Sequence, residues 1–147
     1  MTIRSASPKD SANIATLIQS LAHFYLDNPE GELPVWLTNT LTEQAFESRI
    51  TEGEYVNFVY ETDGKIVGYI SLKKPNHLYH LFVDPSLHGK GIARKLWEHL
   101  KNHAQQQRYT LRSSMFAVPV YEQFGFKVSE PYGTKDGISF QPMSLDL

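Results

Sequence analysis

A lysine between two glycines, Gly89-Lys90-Gly91, is followed at once by Ile92, Ala93, Arg94 and Lys95. Glycine lets the backbone approach a ligand closely. If a helix starts here, its first amides have no intrahelical partners. With the helix dipole they make a site for phosphate or pyrophosphate. Lys90, Arg94 and Lys95 add positive charge around it, whereas a purely structural reading makes the same Gly-x-Gly a turn and a helix cap. Other phosphate motifs fit worse. A P-loop needs Ser or Thr after Gly-Lys, and Gly91 stands there. A dinucleotide fingerprint needs a third glycine where Arg94 stands, and an acidic residue about 20 positions on, where the chain has Leu111.

These residues need a strand before them and a helix after them, and both are legible. His77 to Val83 reads as a strand, Asp84 to Gly91 as a loop, and the segment to about Gln106 as a helix with Ile92, Leu96 and Leu100 along one face. Elsewhere Thr2 to Ala6 reads as a strand. Ser7-Pro8-Lys9-Asp10 starts a helix that carries Ile14, Leu17, Ile18 and Leu21. Pro29, Gly31 and Pro34 then break the pattern, and Leu41 to Ile50 is a second helix. Tyr55 to Glu61 and Ile66 to Leu72 are strands around an Asp63-Gly64 hairpin turn. Tyr109 to Ser113 is a strand, Ala117 to Phe124 a short helix, Phe126 to Val128 a strand and Gly137 to Leu147 a last strand. The expected architecture is one α/β (α+β) domain over residues 1–147, a mostly antiparallel meander opening into a β-loop-helix unit.

The segment Ser114 to Phe126, ending Tyr121-Glu122-Gln123-Phe124-Gly125-Phe126, closes the same region. Together with Gly89-Lys90-Gly91-Ile92-Ala93 it resembles the GCN5-related N-acetyltransferase (GNAT) superfamily. That family has a pyrophosphate loop after its fourth strand and a Tyr-x-x-x-Gly-Phe motif further on. The order of elements agrees over nearly the whole chain. The resemblance implies the GNAT acyl-CoA N-acyltransferase fold, with about six to seven strands and about four helices. It implies acetyl-CoA as co-substrate, no metal, and direct attack by an amine. His88 falls where the family has Gln or Arg, and Ser114 where it has Asn. By the same resemblance, pantetheine lies along Leu81, Phe82 and Val83, one of whose amides serves as oxyanion donor. The pyrophosphate meets His88, Gly89, Lys90, Gly91, Ile92, Ala93 and Arg94. Ser114 bonds a pantetheine amide, and Tyr121 takes the position of the acid that protonates the CoA thiolate. The alternative for Tyr121 is a helix aromatic packed on the sheet.

For the base, histidine is the natural side chain. Strict strand alternation puts His77, Tyr79, Leu81 and Val83 on one face and His80 with Leu78 and Phe82 on the other, unless a bulge intervenes. Arylalkylamine members of the superfamily have a histidine matching His77, so His77 is the expected base, with water as the alternative. His23, Phe24, Tyr25 and Trp36, with Asp27, Glu30 and Glu32, lie where the family builds its acceptor site. They suit a cationic, partly apolar amine, or equally a solvated loop.

Composition narrows the classes. The 147 residues are 41% hydrophobic and contain no cysteine, which removes disulfides, thiolate metal sites and a cysteine nucleophile. Net charge is −2, which disfavours a nucleic-acid binder. The charge is uneven: three basic against eight acidic residues up to Tyr60, and six basic against Glu98 alone from Pro85 to Met115. That asymmetry suits two different ligands, or two solvated faces. With no h-region and no membrane span, a cytoplasmic protein is expected. The expected partner is a small-molecule or peptide amine, with no nucleic acid and no membrane; homodimers are common in the family. A non-catalytic acetyl-CoA-binding or dimerisation module on the same fold is the competing reading.

Overall fold

The computed structural model describes residues 2–28 and 30–147; Pro29, one of the breaks read above, and Met1 lie outside them. The elements are β1 (Thr2–Ser5), α1 (Ser11–Gln19), α2 (Val35–Thr38), α3 (Glu43–Thr51), β2 (Tyr55–Thr62), β3 (Lys65–Lys73) and β4 (His77–Val83). There follow α4 (Ile92–Ala104), β5 (Arg108–Ser114), α5 (Val118–Gln123), β6 (Lys127–Val128), β7 (Gly133–Lys135) and β8 (Ile138–Asp146). One sheet runs β1-β2-β3-β4-β5-β8-β6, with β7 also on β8. Every pairing is antiparallel except β4 with β5. The strand beyond the expected number is the three-residue β7, and the extra helix is the single turn α2.

Local chemistry accounts for the well-read parts. Asp63 and Gly64 both have positive φ, 51° and 75°, which closes the β2–β3 hairpin tightly. At the first helix start the Asp10 carboxylate accepts the Ser7 amide at 2.8 Å and two bonds from the Arg4 guanidinium at 2.8 and 3.0 Å. Arg4 Nε also donates to Glu61 at 2.6 Å, fastening β1 to the end of β2. The guanidinium holds the Asp10 carboxyl well below its ordinary value, at about 2.

The sheet is covered on both faces. Leu96, Trp97 and Leu100 of α4 pack with Phe58, Ile70, Tyr109 and Leu111 on one face. Ile14 and Ile18 of α1 and Phe46 of α3 pack with Val59 and Tyr69 on the other. Among the described residues no helix is long and apolar enough to cross a membrane.

Two irregularities position the site. The parallel pair β4 and β5 is in register only at His77 with Thr110 and Leu78 with Leu111. Beyond Leu78 the strands part, leaving that edge of β4 without a strand partner. The β3–β4 ladder also slips by one residue: Ser71 faces His80 and Leu72 faces Leu78, so Tyr79 is a bulge.

Candidate active site

The opening between β4 and β5 is the start of a cleft of about 570 Å³. It runs from the first turn of α4, past the free edge of β4 and the Tyr121 ring, to a group of aromatic side chains. Leu81, Phe82, Val83, His88, Gly89, Gly91, Ile92, Ala93, Arg94, Ser114 and Tyr121 all line it. Of the expected cofactor residues only Lys90 does not; its side chain is exposed, so a lysine between two glycines at a loop tip adds charge at a distance rather than a wall.

At one end, Gly89 and Gly91 have φ of 81° and 77°, and a Cβ at either would meet no protein atom within 4 Å. The glycines are therefore set by backbone conformation and leave an open face. Gly91 caps α4 with no side-chain bond, so the amides of the first turn have no side-chain partner. Open faces, free amides and a 13-residue helix dipole suit a pyrophosphate. Asp84, in contrast, is turned into its own loop, where it accepts the Ser86 amide at 3.0 Å and hydroxyl at 2.8 Å. His88 turns back to the strand end, its Nε2 lying 3.0 Å from the Val83 carbonyl oxygen.

Midway, Tyr121 of α5 is 9% exposed. Burial pushes its hydroxyl well above the usual phenol range. It therefore stays protonated, as a proton donor must. Phe124 and Phe126 hold the ring edge-on at 6.1 and 6.0 Å. Ser114 Oγ accepts the Ala117 amide at 3.2 Å and keeps its own proton free to donate. Arg94 does more than add charge. Its Nη2 donates to the Gln123 carbonyl at 3.0 Å, and its guanidinium lies 5.1 Å from the Phe124 ring centre, joining α4 to α5.

The bulge breaks the strict alternation expected of β4. Leu78 shares the α4 face with Leu81 and Val83. His80 lies on the α3 face, with ring contacts to Phe46, Tyr69 and Phe82. His80 lines the cleft and His77 does not. His77 Nδ1 lies 2.8 Å from Thr110 Oγ1, in a separate groove of about 320 Å³ beside Arg108, Arg112 and Glu130. Burial, Arg112 and Lys73 push the His77 pKa down. The expectation that His77 faces the reacting cleft does not match its place: it stands on the stretch of β4 still paired to β5, opposite Thr110, before the strands part to open the cleft.

The acceptor segment also divides. Phe24 and Tyr25 line the cleft. Asp27 accepts from the Ser139 hydroxyl at 3.0 Å, and Trp36 Nε1 donates to Asp136 at 2.7 Å. Neither of them lines the cleft, nor do His23, Glu30 and Glu32. Sequence reasoning missed Tyr79 and Phe116 as wall residues. Phe116 lies two residues past Ser114, close enough to the expected site to draw notice, but nothing local pairs it with Phe24.

This geometry has close counterparts. PaiA N-acetyltransferase from Thermoplasma acidophilum, solved in complex with coenzyme A, superposes with a TM-score of 0.81 over 99% of this chain and 98% of its own, at 16% identity. A GCN5-related N-acetyltransferase from Rhodopseudomonas palustris gives 0.79 over 99% and 95%, at 21% identity. At such identities the likeness is one of fold. In sequence, the chain is 27% identical over 73 residues to the peptidyl-lysine N-acetyltransferase YiaC of Escherichia coli strain K12, a match spanning 49% of this chain and 50% of that one. Residues 25–147 match the acetyltransferase (GNAT) domain family. That match includes β4, the glycine loop, α4 and the Tyr121 helix, and the chain belongs to the GNAT acetyltransferase family.

Proposed function

We propose that this chain transfers the acetyl group of acetyl-CoA directly to an amine. The observation that carries the reading is the single cleft in which the uncapped start of α4, the unpaired edge of β4 and the Tyr121 hydroxyl lie in sequence. Acetyl-CoA, when bound, supplies the acetyl group as a thioester. The amides from Gly89 to Arg94 hold its pyrophosphate. The backbone of Leu81, Phe82 and Val83 lines up the pantetheine and offers an N–H to the thioester oxygen. Ser114 donates its hydroxyl proton to a pantetheine carbonyl. As the C–N bond forms and the C–S bond breaks, Tyr121 gives its proton to the sulfur. The proton shed by the nitrogen passes to solvent, from which the tyrosine is refilled.

His77 has no part in this reading. The chain acts as one catalytic domain in the cytoplasm, on a small-molecule or peptide amine, with no metal required for a direct transfer. The test is steady-state release of CoA from acetyl-CoA across a panel of amines. Turnover with any of them supports an enzyme. Binding of acetyl-CoA with no turnover on the whole panel makes the chain a binding module.

A further inference from the structure

Beyond Tyr121 the cleft ends among Phe24, Tyr25, Tyr79, His80, Phe82 and Phe116. Phe24 and Phe116 stack at 5.3 Å and 17°, although they are 51% and 64% exposed. They stand at the mouth with an apolar face to offer. Tyr25 packs edge-on against Phe82 at 5.8 Å. Among the described residues no Asp or Glu lines the cleft. Its fixed charges are positive: Arg94 and Arg112 line it, and the Arg49 guanidinium sits 5.4 Å from the Tyr79 ring centre.

Besides the hydroxyls of Tyr25 and Tyr79, the polar side chain at this end is His80. His80 is 8% exposed, and both its ring nitrogens are buried without a hydrogen-bond partner. Ser71, directly opposite on β3, also has a buried hydroxyl without a partner. Such groups cost stability unless something satisfies them. The groups facing the His80 ring are Phe46 from α3, Tyr69 from β3, and Tyr79 and Phe82 from β4, with Arg49 of α3 as the charge acting on it. Burial and Arg49 drive its pKa down to about 3, so the ring is neutral. A neutral imidazole both accepts and donates one hydrogen bond. The surrounding rings close off both nitrogens, so a partner reaches them only as a ring at the cleft wall turns aside, and it arrives on an apolar body without a solvation shell.

We infer that the acceptor is a monoamine on an uncharged aromatic or aliphatic body, taken up as the free base, with its nitrogen bonded to His80 at the floor of the cleft. The inference rests on the acetyl-transfer reading and adds the substrate class to it. A polycation is selected against. Its second ammonium would lose water near the Arg49 guanidinium with no carboxylate to replace the hydration.

The experiment measures kcat/KM at saturating acetyl-CoA for phenethylamine, tryptamine and hexylamine against putrescine, spermidine and kanamycin. The monoamines should lead by a factor on the order of 10². His80→Phe keeps the ring packing and removes both nitrogens. It should raise the phenethylamine KM about tenfold, with the acetyl-CoA KM unmoved and the melting temperature equal or higher. His80→Gln should restore part of the loss, as an acceptor at that depth. Phe116→Glu, which puts a carboxylate at the exposed mouth, should shift preference toward putrescine. A polyamine or aminoglycoside as best substrate, or an unchanged acceptor KM in His80→Phe, overturns the inference while leaving acetyl transfer standing. Stabilisation by acetyl-CoA with no turnover of any amine removes the acetyl-transfer reading, and the acceptor with it.

Discussion

Leu78 and His80, neighbours but one on β4, point to opposite faces of the sheet because Tyr79 between them has no partner on β3. In a regular strand they would share a face. The slip sends Leu78 into the core under α4 and puts His80 under Phe46 of α3, at the end of the cleft. Which face of the sheet His80 takes is therefore decided by one unpaired residue.

The glycine loop gives the first prediction. Gly91 is in the left-handed region, which Asp and Asn tolerate better than most residues. Gly91→Asp should fold, with a stability loss of about 1 kcal/mol, and should lose CoA binding because a carboxylate occupies the anion site. Gly91→Asn carries the same shape without charge and should keep most of the binding. The melting-temperature shift on adding CoA reads both. Normal binding by the aspartate variant would move the pyrophosphate elsewhere.

Tyr121→Phe keeps the ring against Phe124 and Phe126 and removes only the hydroxyl. We expect kcat to fall by about 10²–10⁴-fold, the usual range for a general acid, with little change in the KM for acetyl-CoA. Single-turnover kinetics on a good acceptor isolate the chemical step. An unchanged chemical rate takes Tyr121 out of the mechanism.

A free-base acceptor sets the pH profile. Both His77 and His80 titrate below the ordinary histidine value, so neither gains a proton near neutrality. The acidic limb of kcat/KM should then follow the ammonium pKa of the acceptor, falling about tenfold per pH unit below it. Replacing phenethylamine by a less basic fluorinated analogue should move the limb by the difference between the two amines. His77→Gln should leave it in place. A limb that stays near pH 6.5 for both amines would indicate a histidine base after all.

Burial of His80 also predicts how stability responds to acid. Its folded pKa, about 3, lies below the ordinary 6.5, so the unfolded chain binds the proton first. That contribution to stability is complete above about pH 6.5 and is lost as pH falls toward 3. The urea midpoint should drop across that window, and His80→Phe should flatten this part of the curve. Asp10, held at about 2 by Arg4, adds a separate loss only below its ordinary 3.8. A wild-type slope retained in His80→Phe would assign the window to other groups.

Much of this was legible in the sequence where the cause is local. Asp63-Gly64 closes its hairpin, Pro8 follows Ser7 at a helix start, and Gly89 and Gly91 take positive φ, because each depends on its own backbone preference. The bulge at Tyr79 left no such mark: no glycine or proline stands there, and the slip shows only when β3 is laid beside β4. The neutrality of His80 depends on Phe46 and Arg49, which lie some 30 positions earlier in the chain. The acidic run from Asp27 to Glu32 suggested a cation site by composition. Asp27 instead serves Ser139 on the last strand, a partner no spacing rule supplies.

Arg94 starts on α4, the helix proposed to hold the pyrophosphate, and ends on the carbonyl of Gln123, two residues past Tyr121. On the proposed reading, the donor's anchor and the acid for its leaving sulfur thus hang from one strut. A shift of α4 would then be passed on to α5 through that contact. Alignment of acid to leaving group would then depend on this one bridge, while an acceptor at the His80 end would have its position set independently of it.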